Sequence, residues 1–286
     1  MVTMALGLHL QKEGHLVGYM KPIGAVPSKG NSREGDADAF FVQDVLGLQE
    51  DPNLVTPVLV TEEFKREAFT SSCPQLLSRV QTAYETLEKG KDLVLVGGSG
   101  SFLYSGKYCG VDGLSVSTGL KTKVLLIDRF RSECNYDYLL TAKELLGDRL
   151  IGVILNDIPA AQMGELQGGV VPLLERQGVP VLGLIPHDPL MGAIKIADLA
   201  ERLGGRIISA PGKADRVIEN FLIGTMQVEN FMTHFRRHQN SAILVGGDRS
   251  DLQLVALEGK CPCLILTGNL YPNDIILTRS EVLETP

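Results

Sequence analysis

Short apolar runs alternate with stretches of helical periodicity along the first part of the chain. The apolar runs lie at residues 16–20, 92–96, 124–127, 151–155 and 179–185. Apolar positions at helical spacing before and between them predict helices at residues 4–14, 72–87, 135–146 and 169–177. Runs that are separated by helices and apolar on both faces are typical of a parallel sheet covered on both sides. The pattern therefore predicts an α/β fold with a parallel sheet.

The residues that follow the apolar runs mark one edge of this predicted sheet. Ligands of open parallel sheets bind at the carboxyl ends of the strands, where the loops leave a crevice. We therefore expect a crevice lined by the residues that end these runs, which are Lys21, Gly97, Asp128, Asn156 and Pro186.

The pattern changes after residue 203 and indicates a second domain. Gly204 and Gly205 end the alternation, and residues 210–212, Ala-Pro-Gly, are typical of a linker. A second β-α-β unit follows, with a polar helix at 229–237, a strand at 241–245, a helix at 251–257 and a strand at 263–267. We therefore predict two domains, at residues 1–208 and 213–286.

Composition narrows the classes of protein that fit this pattern. The 286 residues are 44% hydrophobic, enough for a packed core in each domain. No run reaches the ~20 consecutive apolar residues of a membrane-spanning helix, and the first residues lack the features of a signal peptide. We therefore predict a cytoplasmic protein with no membrane partner.

The charge of the chain argues against a nucleic-acid partner. The net charge is −7, and the basic residues form no long cluster of the kind that binds phosphate backbones. A small anionic ligand remains an open alternative, because backbone amides and one or two lysines bind such a ligand without a basic surface.

The chain has five scattered cysteines, which are Cys73, Cys109, Cys134, Cys261 and Cys263. Cys261 and Cys263 are close in sequence, but they lack the two-residue gap usual in zinc and redox pairs. We therefore expect free thiols, most of them structural.

The first candidate binding residue is Lys21, in the turn Lys21-Pro22-Ile23-Gly24. An ammonium group at the end of a strand can hold a phosphate or carboxylate, and the alternative is an ordinary surface lysine. Further along, Asp36 and Asp38 stand at the predicted start of a helix, where carboxylates usually cap backbone amides. The functional alternative is Mg²⁺, which prefers one or two carboxylates with phosphate oxygens and water.

Three more turns follow apolar runs. The glycine-rich turn at residues 97–101 allows either close approach of the backbone to a ligand or a positive φ. Asn156 offers both a donor and an acceptor to a nucleobase edge, although a plain loop is the alternative. His187, next to Pro186, fits an exposed loop residue better than a catalytic group.

The order of these motifs resembles the dethiobiotin synthetase and cobyrinate amide synthetase group of P-loop proteins, over roughly residues 1–205. In that group ATP activates a carboxylate or carbamate through a phosphorylated intermediate. The resemblance implies that Lys21 binds substrate or phosphate and that Asp38 helps to hold Mg²⁺. It also implies that Asn156 reads the adenine and that Pro186 lies in the nucleotide-side turn. Its further implications are a P-loop NTPase-like domain, ATP and Mg²⁺ as cofactors, and a homo-oligomer.

Two departures from this group bear on activity. Its members have a Val-Glu-Gly turn whose glutamate supports Mg²⁺ and catalysis, whereas this chain has Val96-Gly97-Gly98. They also begin with a strand and a phosphate-binding loop ending in Gly-Lys-Ser/Thr. By the register from Gly14, that loop would fall immediately before Met1, so the backbone amides that cradle phosphates would lie outside the sequence.

The second predicted domain resembles a DRTGG domain, through residues 247–251, Gly-Asp-Arg-Ser-Asp, and residues 266–270, Leu-Thr-Gly-Asn-Leu. Its candidate ligand-binding residues are Asp248, Arg249 and Thr267, and a structural pair of Asp248 with Arg249 is the alternative. The two domains together resemble the N-terminal regulatory region of long phosphotransacetylases and their stand-alone relatives. The resemblance also implies that a further strand would normally follow Pro286.

Three hypotheses about function follow. The first is a regulatory or ligand-sensing protein on a P-loop fold that binds ATP or a related anion without efficient turnover. The second is an ATP-dependent amide- or ring-forming ligase in which Lys21, Asp38 and Asn156 keep the family roles. The third is an interaction module that has lost its chemistry. An in-frame Gly-Lys-Ser/Thr motif upstream of Met1 would favour nucleotide binding, and its absence would exclude the ligase.

Overall fold

A computed structural model describes residues 1–30, 33–70, 73, 75–98, 100–132, 136–238 and 240–286. The chain divides into two compact units, unit 1 at Met1–His187 and unit 2 at Asp188–Pro286. Both units alternate strands and helices, as predicted. The domain boundary expected between residues 208 and 213 stays a prediction. Among the described residues, no helix combines the length and the apolar character needed to cross a bilayer.

Unit 1 alternates strands and helices along most of its length. Its strands are β1 (Val17–Met20), β2 (Ile23–Gly24), β3 (Pro27–Gly30), β4 (Arg33–Asp36), β5 (Val58–Leu59), β6 (Leu93–Val96), β7 (Val124–Arg129), β8 (Leu150–Ile158) and β9 (Val181–Pro186). Its helices are α1 (Val2–Lys12), α2 (Ala37–Val45), α3 (Pro52–Val55), α4 (Glu62–Thr70), α5 (Leu76–Leu87), α6 (Gly113–Gly119), α7 (Asp137–Leu146), α8 (Met163–Glu165) and α9 (Val171–Arg176).

The longer strands of unit 1 are paired in parallel. β1 pairs with β6, with Val17 opposite Leu93, and β8 pairs with both β7 and β9. The short strands β2 and β5 are also parallel, whereas β3 and β4 form an antiparallel pair. The predicted parallel pairing is therefore present, but within the described residues the strands expected in one sheet form two separate ladders, β1-β6 and β7-β8-β9.

Helices cover these ladders through apolar residues at helical spacing. Helix α7 buries Leu139, Ala142 and Leu146, and this face packs in one cluster with Val153 and Leu155 of β8. Each fully buried leucine stabilises the fold by about 1.5–3 kcal/mol. Strand β1 is buried at all four positions, as expected of a strand covered on both faces. Lys21, which follows β1, is therefore attached to a strand that is buried in the core.

Unit 2 contains the second predicted β-α-β unit. Its strands are β10 (Ile194–Lys195), β11 (Val217–Ile218), β12 (Asn220–Ile223), β13 (Ser241–Gly246) and β14 (Leu264–Thr267). Its helices are α10 (Ile196–Leu203), α11 (Val228–Phe235), α12 (Ser250–Glu258) and α13 (Asp274–Val282). β13 pairs in parallel with β12 and with β14. Phe231, Phe235, Ile243 and Leu252 share one buried cluster, so α11 and α12 pack on β13.

The cysteines depart in part from the expectation of free thiols. Cys73 and Cys109 form a disulfide, with their Cα atoms 5.2 Å apart. The fold brings the segment between α4 and α5 against the turn at Lys107–Cys109, and the 36-residue separation gives no sign of this in the sequence. The expectation of free thiols is confirmed for Cys261 and Cys263, which are buried. Cys134 lies outside the described residues.

Raising the pH from about 9 to about 11 is expected to destabilise unit 2 through its buried thiols. Burial raises the pKa of Cys261 to about 12 and that of Cys263 to about 11. The pKa of a cysteine in an unfolded chain is about 8.5. The unfolded chain then loses protons that the folded chain keeps. The free energy of unfolding should therefore fall with rising pH, by at most about 1.4 kcal/mol per pH unit for each thiol.

Urea unfolding across this pH range measures the effect. The variant Cys261→Ala with Cys263→Ala is the control, because it removes both thiols and should show a shallower decline. An equal decline in the variant and the natural chain would contradict the assignment to these two residues.

Candidate functional site

Lys21 lies directly after β1, and its side chain is buried between two carboxylates. Its Nζ atom is 2.6 Å from Oδ1 of Asp36 and 2.7 Å from Oδ2 of Asp38. Only 6% of the side chain is exposed, and the backbone N–H donates to the carbonyl of Val55. Lys21 is therefore a buried cation fixed at the carboxyl end of a strand, and the surface-lysine alternative does not describe it.

Asp36 holds the start of helix α2. Its Oδ1 accepts from the N–H of Ala39, and its Oδ2 accepts from the N–H of Val26. With the bond from Lys21, both carboxylate oxygens have donors, and none of the side chain is exposed. The predicted capping role is thus confirmed for Asp36, and its oxygens are already used inside the protein.

Asp38, the predicted Mg²⁺ ligand, lies in the first turn of α2 and remains 67% exposed. Among the described residues, no group of three or more His, Cys, Asp or Glu side chains gathers to hold a metal ion. Mg²⁺ is usually held by one or two carboxylates together with phosphate oxygens and water. The carboxylate of Asp38 fits that pattern as a single protein ligand to a metal that arrives with a phosphate.

Tyr19 fills the space beside Gly97, where the resembled group has its glutamate. A Cβ atom added at Gly97 would lie 2.9 Å from the Tyr19 hydroxyl oxygen and 3.3 Å from Cε2 of its ring. Tyr19 is 3% exposed, and burial, with smaller contributions from Asp36 and Asp38, raises the pKa of its hydroxyl. A neutral phenol therefore occupies this part of the site instead of a carboxylate.

The glycine-rich turn after β6 contains a glycine with a positive φ as well as glycines without one. Gly97 does not have a positive φ, whereas Gly100 does, at +65°. The N–H of Gly97 donates to the carbonyl of Met20 at 2.7 Å, so the turn stays close to β1. Close packing against Tyr19 thus explains the glycine at position 97. Ser99, in the same turn, lies outside the described residues.

Asn156 and Pro186, the predicted nucleobase residues, lie on the neighbouring strands β8 and β9. The register of this pair shifts between Leu155 and Ile158, and Asp157 has a φ of +64°. Such irregularities re-aim side chains and are frequent beside binding sites. Asn156 is half-buried, and Pro186 is exposed at the end of β9.

Asp157 joins two exposed side chains at this irregularity. Its Oδ1 is 2.5 Å from Nδ1 of His187, and its Oδ2 is 2.5 Å from Nε of Arg129. The hydrogen bonds from His187 and then Arg129 lower the pKa of the Asp157 carboxyl. The carboxylate is therefore ionised at neutral pH. His187 is a half-exposed loop residue whose ring contacts this aspartate, and its role stays a prediction.

Asp128 is a further carboxylate at the end of β7. It is 7% exposed, and burial raises its pKa, an effect that Arg131, 3.4 Å away, only partly offsets. Asp128 is thus a buried carboxyl with one long ion pair at the end of β7.

The predicted residues of unit 1 thus fall into two groups. Lys21 and Asp38 are in direct contact beside β1. Asn156 and Pro186 lie on adjacent strands of the other ladder. No hydrogen bond or ion pair between side chains of the two groups occurs in the described part of the chain.

In unit 2, the predicted pair of Asp248 with Arg249 is replaced by another pair. The Nε and Nη2 atoms of Arg249 donate to Oδ1 and Oδ2 of Asp251, at 3.0 and 2.9 Å. Asp251 stands in the first turn of α12, within reach of the planar guanidinium group. Asp248 is exposed at the loop surface, and the bonded partner of Arg249 is Asp251, so the alternative of a structural pair between Asp248 and Arg249 is wrong.

Thr267 lies at the end of β14, next to the loop that carries Asp248 and Arg249. The N–H of Gly247 donates to the carbonyl of Thr267 at 2.9 Å, and the Thr267 hydroxyl lies 3.4 Å from the carbonyl of Val245. A Cβ at Gly247 would lie 2.6 Å from the carbonyl oxygen of Leu270, so only glycine fits between these loops. The three candidate residues therefore share the carboxyl ends of β13 and β14.

Sequence reasoning missed Tyr19 and Asp157 as parts of the site. Tyr19 precedes Lys21 by two positions, and residues two apart in a strand face the same side, so the period of the strand could have indicated their proximity. The sequence indicates the positive φ of Asp157 only weakly, because Asp tolerates that conformation but does not require it.

Comparisons with known proteins agree with the motif-based resemblance. Residues 1–195 match the family model for an AAA domain, and residues 198–286 match the model for a DRTGG domain. The phosphate acetyltransferase of Pseudomonas putida is 26% identical over an alignment of 296 positions, gaps included, which covers 97% of this chain and 41% of that protein. The phosphate acetyltransferase of Nitratidesulfovibrio vulgaris is 23% identical over 215 residues, covering 69% of this chain and 30% of that protein. The phosphate acetyltransferase of Pseudomonas aeruginosa is 22% identical over an alignment of 294 positions, gaps included, which covers 96% of this chain and 40% of that protein.

The matches define the family but not the activity. The chain spans about two fifths or less of the length of these curated relatives. The predicted order of a P-loop domain followed by a DRTGG domain is confirmed, as is the resemblance to phosphotransacetylases. The chain belongs to the AAA domain family through residues 1–195 and continues into a DRTGG domain.

Proposed function

We propose that this protein is a regulatory or ligand-sensing protein, and that unit 1 binds ATP or a related anion without efficient turnover. The contact between Tyr19 and Gly97, beside a buried Lys21, carries the proposal. Lys21 supplies a cation at the end of a strand, where ligands of such folds bind. The carboxylate that supports Mg²⁺ and catalysis in the resembled group has no counterpart at Gly97, and a neutral phenol fills its place.

The remaining predicted residues of unit 1 take roles that fit their positions. In this proposal Lys21 holds a phosphate oxygen, and Asp38 supplies one carboxylate to the Mg²⁺ that accompanies the phosphate. Asn156 offers its amide to the nucleobase edge, and Pro186, which is opposite Ile158, lies at the end of the next strand.

Unit 2 is proposed as a second ligand site. Asp248, Arg249 and Thr267 share the carboxyl ends of two parallel strands, which is the usual place for a ligand in such a sheet. Asp251 orients the guanidinium group of Arg249 through Nε and Nη2, and a guanidinium has more N–H donors than these two, so further donors remain for a ligand. The chain matches part of phosphate acetyltransferases, and this match supports a regulatory role. We also expect the protein to be a cytoplasmic homo-oligomer.

Thermal melting with ATP and Mg²⁺ tests the proposal. A ligand at about 100 times its dissociation constant adds about 2.7 kcal/mol of stability, so unit 1 should melt at a higher temperature. Release of ADP, measured in the same samples, should stay at background. Steady ADP release would show ATP hydrolysis and contradict the absence of efficient turnover, and an unchanged melt at millimolar ATP would reject nucleotide binding.

Replacing Lys21 with glutamine should weaken ATP binding by about 10- to 150-fold, the range for a hydrogen bond to a charged group. Lys65→Gln is the matched control, because Lys65 forms an exposed ion pair in the same unit. Since the change leaves Asp36 buried without its cation, Lys21→Arg serves as a second variant that keeps the charge. Equal affinity of Lys21→Gln and Lys65→Gln would assign Lys21 a structural role only.

A further inference from the structure

The two carboxylates that contact Lys21 are held to different degrees. Asp36 is fully buried, and backbone N–H groups of Val26 and Ala39 bind both its oxygens. Asp38 is 67% exposed, and within the described residues Lys21 is the one group that bonds its carboxylate. Asp36 is therefore a fixed partner, whereas Asp38 can leave Lys21 by rotation of its side chain.

The charges of this cluster oppose the binding of a free anion. One lysine and two aspartates leave a net charge of −1, from +1 and two charges of −1. The 6% exposure of the Lys21 side chain and the fixed position of Asp36 leave displacement of Asp38 as the route to Nζ. An anion must therefore compete with a carboxylate that already neutralises the lysine.

A divalent cation bound to the ligand would reverse this competition. Mg²⁺ accepts a carboxylate together with phosphate oxygens, so it gives the Asp38 carboxylate a new partner when the phosphate reaches Lys21. We propose that Asp38 is a displaceable counterion that closes the anion site, which therefore takes metal-chelated polyphosphates in preference to free anions. This inference rests on the proposed function, because it concerns the same site.

Titration of the full chain with pyrophosphate tests the proposal, with and without Mg²⁺. The variant is Asp38→Asn, and Asp44→Asn is the control, because Asp44 is an exposed aspartate on the same helix. Without metal, Asp38→Asn should bind pyrophosphate about tenfold more tightly than the natural chain or Asp44→Asn. Added Mg²⁺ should then tighten binding about tenfold in the natural chain and much less in Asp38→Asn. Equal affinities of the two variants without metal would overturn the proposal.

Amine labelling of Lys21 separates this inference from the proposed function. Reductive methylation, located by mass spectrometry of peptides, should modify Lys21 slowly in the natural chain and several-fold faster in Asp38→Asn. If no variant binds pyrophosphate, the proposed function fails, and the labelling rates decide the inference alone. Faster labelling in Asp38→Asn would then support the displaceable counterion, whereas equal rates in Asp38→Asn and Asp44→Asn would overturn it.

Discussion

Replacing Asp36 with alanine is expected to destabilise unit 1 by about 2–4 kcal/mol. The change removes the cap of helix α2, which is typically worth about 1 kcal/mol. It also removes a buried partner of Lys21, and hydrogen bonds to charged groups contribute about 1.5–3 kcal/mol. Urea unfolding followed by circular dichroism measures the loss.

Asp38→Ala is the matched control for this prediction. It removes the other carboxylate from the same lysine, but that carboxylate is 67% exposed, and exposed ion pairs contribute at most about 1 kcal/mol. The two substitutions should therefore differ by more than about 1 kcal/mol. Equal losses would show that Asp36 does not hold the structure in the way that its hydrogen bonds indicate.

Replacing Gly97 with alanine is expected to destabilise unit 1 by about 1–3 kcal/mol, the usual range for overpacking. The new Cβ would lie 2.9 Å from the Tyr19 hydroxyl, and Tyr19 is too buried to move freely. Gly98→Ala is the control, because nothing lies within 4 Å of a Cβ at that position. Urea unfolding should show a loss for the first variant and little change for the second.

Tyr19→Phe tests the source of this effect. Without the hydroxyl, the nearest ring carbon would lie 3.3 Å from the new Cβ, so Gly97→Ala should be less harmful in the Tyr19→Phe background. A double-mutant cycle measures the difference. Gly97→Glu, which restores the residue of the resembled group, should still give no ATP turnover, because the space for its side chain is filled. An additive cycle, or turnover by Gly97→Glu, would contradict this account.

The sequence predicted the parts of the fold that depend on local patterns. Runs that are apolar on both faces, such as β1, indicated buried parallel strands, and Asp36 at a helix start indicated a cap. The turn after β1 placed Lys21 at a strand end, and the structure puts Asp38 in contact with it. The site roles of these residues stay predictions.

Features that depend on contacts between distant segments could not be read from the sequence. The contact between Tyr19 and Gly97 joins residues from two strands, and the disulfide between Cys73 and Cys109 joins residues that no pattern relates. The pairing of Arg249 with Asp251 instead of Asp248 depends on side-chain direction at the start of α12. Composition and periodicity do not show which of two neighbouring aspartates an arginine bonds.

The separate cores of the two units determine how denaturation of this protein must be interpreted. The clusters around Leu139 and around Phe231 share no residue, so each unit has its own source of cooperativity. Unfolding of such a chain departs from a single two-state transition, and one midpoint does not describe it. We expect ATP, Asp36→Ala and Gly97→Ala to shift the transition of unit 1, whereas alkaline pH should lower both transitions, through Tyr19 in unit 1 and through Cys261 and Cys263 in unit 2. For the ligand and the two substitutions, unit 2 then provides an internal reference for unit 1 within a single calorimetric scan.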